Sequence, residues 1–171
     1  MLLTFKNLNR FLVLSFAALI LAACTTTPQD TASTSSSSSA SKVEVVDGVY
    51  VGTDTVEMLA VDVPDRVFFA TNESILTTRS RDTLRKQAAW LRKNPGVTVV
   101  VEGHADERGT REYNLALGER RANAAKDYLM TQGISASRIT TISFGKERPV
   151  NSASNNKAWA QNRRSVTVRT N

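Results

Sequence analysis

Cysteine and histidine occur once each in the 171 residues, as Cys24 and His104. One thiol cannot close a disulfide within the chain, so the fold must rest on its own apolar core. One imidazole leaves no ligand set for zinc or a transition metal, and no second histidine is available to pair a base with a nucleophile. Neither a G-x-S-x-G elbow nor a phosphate-cradling P-loop occurs, and no cofactor motif replaces them. No internal repeat is visible. Long hydrophobic runs are also missing: the apolar stretch from Phe11 to Ala23 has thirteen residues, against the about 20 that a membrane-spanning helix needs. The charge imbalance is modest, with a formal net charge of +6.

What is present begins with an export signal over residues 1–23. Lys6 and Arg10 supply a short basic region, the apolar stretch follows, and Leu21-Ala22-Ala23 leads directly to Cys24. This ending resembles the lipobox of bacterial lipoproteins. The resemblance implies cleavage before Cys24, a diacylglycerol on its thiol and a further acyl chain on its freed amine. Several acyl chains, at about 0.8 kcal/mol per buried methylene, hold a protein to a membrane far more firmly than one. An exported chain meets the cell envelope rather than nucleic acid, and Thr25 after Cys24, by analogy with enteric sorting, favours the outer membrane. From Cys24 to Lys42 the sequence is rich in Thr, Ser and Ala, with an unbroken serine tract from Ser35 to Ser39. It cannot bury enough apolar surface to offset its ordering entropy and reads as a tether. As a coil it would average roughly 23 Å, and drawn out it would approach about 60 Å.

Residues 43–64 contain short β-rich pieces around Gly48 and Gly52, an extended N-terminal segment without a clear place. The regular pattern starts at Asp65 and runs to Asn171. Val67-Phe68-Phe69 is a strand; Leu84, Ala88 and Leu91 recur at helical spacing until Asn94-Pro95-Gly96 stops the helix. Val97 to Val101 is apolar at nearly every position and reads as a central strand covered on both faces. A second helix runs from about Arg111 to Gln132, closed by Gly133. Ile139 to Phe144 is another strand, and Ser165 to Arg169 alternates as a half-buried edge strand does. The order predicts an α/β sandwich, one sheet under helices.

The second helix carries a misfit. At 100° per residue, Leu115, Leu117, Ala122, Ala124, Ala125, Tyr128 and Leu129 share one arc, and Arg120, Glu119, Asn123, Lys126 and Asp127 share the other. Arg121 and Asn114 fall inside the apolar arc. An unpartnered ion there is costly, so Arg121 requires an anion. Asp106, in the loop from Gly103 to Thr110, is the nearest candidate carboxylate, at the carboxyl end of a strand where α/β sheets form ligand crevices. Two readings stay open. The two side chains form an internal salt bridge, or together they bind a zwitterion, Asp106 accepting from an ammonium and Arg121 donating to a carboxylate. Asp106 with Glu107 is the only adjacent carboxylate pair in this loop, the feature that a wall-remodelling enzyme would need. A protein-only envelope anchor is the third possibility. His104 reads as a loop or sheet-end residue, and Trp90 and Trp159 as packing residues.

The stretch from Val101 to Leu129, VEGHADERGTREYNLALGERRANAAKDYL, closely resembles the signature of the peptidoglycan-associated lipoproteins of the OmpA-like domain family. Phe144-Gly145-Lys146-Glu147-Arg148-Pro149 and Asn162-Arg163-Arg164 extend the likeness, which covers Asp65 to Asn171. It implies a βαβαβ-type domain with an additional strand and a mixed sheet, and non-enzymatic binding to the meso-diaminopimelate stem of peptidoglycan. It also implies that TolB and other Tol proteins of the periplasm are partners. Carried onto this chain, the resemblance makes Asp106 and Arg121 the central pair. Arg108 stands in the loop and Leu117 and Asn114 on the helix, Thr71 and Asn72 offer donors from the first strand-to-helix loop, and Arg164 forms a carboxylate-binding rim. Where relatives read aromatic-Asp, this loop reads Phe69-Ala70-Thr71-Asn72.

Overall fold

A computed structural model describes residues 44–171; the expected signal, the Cys24 lipidation site and the tether lie outside the described residues. Two small hairpins come first, β1 (Val45–Val46) with β2 (Val49–Tyr50), then β3 (Met58–Ala60) with β4 (Val63–Pro64). Asp47 and Gly48 turn the first hairpin with φ of 50° and 73°, the left-handed pair that a tight Asp-Gly turn requires. The turn delivers Tyr50, fully buried, edge-on to Phe68 at 4.9 Å. The segment from 44 to 64 therefore packs onto the rest of the fold.

The main sheet contains β5 (Arg66–Phe68), β6 (Val99–His104), β7 (Ile139–Gly145) and β8 (Arg164–Arg169) in the order β5-β8-β6-β7. Only β6 and β7 are parallel, joined across a helix; β8 runs antiparallel to both β5 and β6. The expected mixed α/β architecture is thus present, with two differences. First, β8 is an inner strand and not an edge, and the edges are β5 and β7. Second, β6 is covered on one face only: Val99 and Val101 are buried while Val100 and Glu102 are half-buried. The second difference arises because α1 and α2 cover one face, so an interior strand such as β6 alternates between covered and open sides, and a run of valines suits a central strand whichever side is covered.

Helix α1 (Thr78–Lys93) starts where Thr77 accepts from the Ser80 amide at 3.1 Å and stops before Pro95. Its last carbonyls are satisfied by Arg138, which donates to Leu91 O at 3.0 Å and Asn94 O at 2.8 Å. Helix α2 (Arg111–Thr131) is capped by Thr110 and terminated by Gly133 at φ +87°. Leu84, Ala88 and Leu91 of α1 meet Ala122, Ala125 and Leu129 of α2 over Val67, Phe69, Val99, Val101 and Ile139. Leu115, expected on the buried arc of α2, is exposed instead. A short helix not expected from sequence, α3 (Asn156–Asn162), interrupts the connection from β7 to β8, its N-terminus capped by Asn155.

One close approach sets the position of everything that follows. A Cβ on Gly103 would stand 1.8 Å from Gly118 O, and one on Gly118 would stand 2.3 Å from Ser143 Oγ. Helix α2 therefore lies directly against the backbone of β6 where that strand ends. Arg121, one turn beyond Gly118, is carried beneath the loops at the carboxyl ends of β5 and β6.

Candidate functional site

Two loops meet there, β5–α1 (residues 69–77) and β6–α2 (residues 105–110). Asp106 is 7% exposed and is held from two sides. Arg108 donates from its backbone amide at 3.1 Å, from Nε at 3.2 Å and from Nη2 at 2.7 Å. Arg163 adds Nη1 at 3.0 Å from the opposite side. Burial acts to raise the Asp106 pKa, but the hydrogen bonds from Arg108 and Arg163 outweigh it and hold the carboxyl below its ordinary value. The two arginines differ in exposure: Arg163 is buried, whereas the Arg108 side chain is 43% exposed.

Arg121 is not the partner of Asp106. It is fully buried, and its guanidinium donates to three backbone carbonyls: Glu73 O at 2.8 Å, His104 O at 2.8 Å and Ala70 O at 3.1 Å. Helix α2 thereby ties the first loop to the end of β6, and the anion expected for Arg121 is replaced by carbonyl dipoles. Burial, then the charge of Arg163, push its pKa down to about 10, while Asp106 pulls it upward. In this structure Asp106 is bridged by Arg108 and Arg163 and not by Arg121, and Arg121 braces the loops.

Asn114, also buried, donates Nδ2 to Arg108 O at 2.8 Å and so fixes the loop that bears Asp106. Leu117 is buried one turn further along. Thr71 and Asn72 are exposed at the tip of the first loop, Asn72 in the left-handed region at φ 59°. Arg164 is not brought to this site. It faces the side of the sheet turned away from the helices, donating to Asn162 O and Arg148 O. The residue that does reach Asp106 is its neighbour Arg163, which also donates to Phe69 O at 3.2 Å and to Gly48 O in the first hairpin. The signal for this was faint: Asp106 is a carboxylate in a crevice and needs a cation within the fold, but adjacent arginines point oppositely and only the register assigns them.

Glu107 turns away from Asp106. It accepts from Ser154 Oγ at 2.6 Å and from Trp159 Nε1 at 2.9 Å, and Arg108 lies 4.4 Å above the Trp159 ring. Hydrogen bonds from Ser154 and Trp159 lower the Glu107 pKa. Trp159, expected as a packing residue, is a buttress of the site.

The sequence pattern of the OmpA family matches residues 68–163, which contain both loops, Arg121 and Arg163. The chain belongs to the OmpA family. Its relatives there carry the name peptidoglycan-associated lipoprotein. That of Agrobacterium fabrum is 55% identical over 108 residues, covering 63% of this chain and 61% of that protein. That of Legionella pneumophila is 35% identical over 153 residues, covering 86% and 87%. In the relatives from Agrobacterium, Mesorhizobium and Brucella the chain spans only 61–64% of their length. Among solved structures, the peptidoglycan-associated lipoprotein of Burkholderia pseudomallei superposes with a TM-score of 0.61 at 35% identity, covering 62% of this chain and 90% of that one. The C-terminal domain of Helicobacter pylori MotB, at 16% identity and TM-score 0.59 over 63% of this chain and 84% of its own, shares the fold of this OmpA-family domain.

Proposed function

We propose that this chain is an outer-membrane lipoprotein, anchored through Cys24 and facing the periplasm, that binds the diaminopimelate stem of peptidoglycan non-covalently and has TolB and other Tol proteins as partners. The names of its relatives support the ligand class. The observation that carries the reading is a buried carboxylate at a strand-end loop, Asp106, whose two cations are unequally held.

The far end of diaminopimelate bears an ammonium and a carboxylate on one carbon. The four donors at Asp106 occupy the acceptor capacity of its two oxygens, so an incoming ammonium must displace one of them. The half-exposed Arg108 side chain is the one free to leave, and once released it can donate two parallel hydrogen bonds to the ligand's carboxylate. Arg163 stays as the fixed partner, and Arg121 keeps the two loops at their spacing while adding positive charge from below. Binding in this form exchanges one ion pair for two.

The loop offers no general acid. Both Asp106 and Glu107 are held below their ordinary carboxyl pKa, so neither stores a proton near neutral pH for a general acid to give. That weighs against a wall-remodelling enzyme. The test is retention on diaminopimelate-type peptidoglycan: Asp106→Asn should abolish it, and Arg108→Ala should weaken it about tenfold, the loss of one charge-assisted contact. Undiminished retention by both variants overturns the reading, and steady release of wall fragments at catalytic turnover replaces it with the enzyme.

A further inference from the structure

The face of the sheet opposite α1 and α2 holds a trough of about 910 Å³. Its floor is charged. Arg66 is answered by Asp65 at 2.8 and 2.7 Å and by Glu57 at 3.4 Å, and Glu102 takes His104 Nε2 at 3.3 Å. The His104 imidazole is held neutral, so Glu102 keeps its charge. Three guanidiniums of the trough have no carboxylate within 4 Å among the described residues; of these Arg169 lies 5.8 Å from the Trp90 ring, leaving Arg164 and Arg148. Arg164 is 6% exposed, has no carboxylate oxygen within 4 Å among the described residues, and leaves its Nε without an acceptor. Its contacts are long ones, 3.4 Å to Asn162 O and 3.2 Å to Arg148 O. Arg148 is exposed at the rim, 3.8 Å above the Phe144 ring, and likewise has no carboxylate partner among the described residues. Between them His104, 1% exposed, leaves Nδ1 unbonded. Glu102 acts on Arg164 only from beyond 4 Å, and a buried guanidinium without a carboxylate in direct contact is an unfavourable arrangement that a closer anion relieves.

We infer that this trough receives a carboxylate side chain from an acidic, extended segment of a partner protein. Guanidiniums favour carboxylates through their planar fork of donors. The trough lies near the upper end of the roughly 300–1,000 Å³ found for ligand clefts, so one small inorganic anion would leave most of it empty. Met58, Val150 and Val168 are exposed along it and offer apolar contacts to residues beside the carboxylate. None of the residues that hold Asp106 lines the trough, so both places can be occupied together.

The test uses the full chain, isotope-labelled in detergent micelles, titrated with acetyl-Leu-Glu-Val-Glu-Leu-amide and with the same peptide carrying Gln in place of both Glu. The acidic peptide should shift the amide signals of Glu102, His104, Val166 and Val168 saturably, and the Gln peptide should not. Arg148→Gln, at an exposed position that leaves the fold intact, should weaken the acidic peptide by about tenfold, and Arg164→Gln by more. Asp106→Asn should leave this binding unchanged while losing the wall, which separates the two sites. Equal behaviour of the two peptides, absence of shifts, or wild-type affinity in Arg148→Gln overturns the inference. So does a muropeptide that shifts the same signals more strongly than the peptide, since the trough would then be a second wall subsite.

Discussion

The pair between Asp106 and Arg163 should dominate the stability of the loop region, and a double-mutant cycle measures it. Arg163→Met keeps the stem volume but removes the 3.0 Å contact to Asp106 and the donors to Phe69 O and Gly48 O. Breaking a buried pair from one side costs about 3 kcal/mol, because the other charge stays behind. Asp106→Asn strands Arg163 in the same way and should cost about 2–3 kcal/mol. Its second pair, to the half-exposed Arg108, adds at most about 1 kcal/mol. With both charges gone no buried charge is stranded, and what remains lost are the donors to Phe69 O and Gly48 O and the half-exposed Arg108 pair. The double variant should lose only about 3 kcal/mol, a coupling of about 2 kcal/mol between the sites. Urea unfolding of the full chain at pH 7, followed by circular dichroism, gives all four corners at constant slope. The acid limb supplies a sign check. The folded Asp106 pKa is depressed, so its contribution is present above the unfolded value of about 3.9 and is lost as pH falls through the folded value. The gap between wild type and Asp106→Asn should therefore close in strong acid. Single effects that add to within about 0.5 kcal/mol would refute the pairing.

Two further outcomes follow from the same geometry. Burial first, then Arg164, Arg66 and Arg148, push the His104 pKa down to about 3. The unfolded chain therefore binds a proton that the fold refuses between about pH 6.5 and 3, and stability, complete above about 6.5, should decline by up to about 1.4 kcal/mol per pH unit within that window. An NMR titration of the ring protons that finds a midpoint near 6.5 contradicts this. Gly118→Ala should cost about 2 kcal/mol through overpacking, since the new Cβ would sit 2.3 Å from Ser143 Oγ and 2.8 Å from Gly103 O. The same push moves Arg121 away from the two loops it braces. An unchanged melting temperature together with unchanged wall retention would show that α2 has room the structure does not display.

How far the sequence reaches can be judged from particular elements. Helices α1 and α2 were legible from apolar spacing and from their stops, Asn94-Pro95 and Gly133, which act within one turn; their N-caps, Thr77 and Thr110, were not read from the sequence. The strands were legible as strands but not as neighbours, because the place of β8 between β5 and β6 depends on pairings about 65 and 100 residues apart in the chain. Helix α3 was missed: its seven residues, Asn-Lys-Ala-Trp-Ala-Gln-Asn, have no apolar stripe, and its cap lies among serines and asparagines that read as loop. At the site, the misplaced charge on α2 correctly marked Arg121 as exceptional. It could not tell a carboxylate from three converging carbonyls, since backbone acceptors leave no trace in residue identities.

The Arg163-Arg164 dipeptide shows why the two sides of this domain are to be treated as separate. Arg163 caps α3 and Arg164 opens β8, and the passage from helix end to strand sends one guanidinium to Asp106 and the next to the open side of the sheet. Arg163 finds a carboxylate inside the fold; Arg164 does not. A residue satisfied internally is a structural support whose removal should be read in stability. A residue buried without a counter-ion keeps a demand that only an outside group can meet, and its removal should be read in binding. Arg163→Met and Arg164→Gln, differing by one position in the chain, should therefore separate cleanly: the first lowers the urea midpoint and disturbs wall retention, whereas the second leaves wall retention intact and abolishes the response to an acidic peptide.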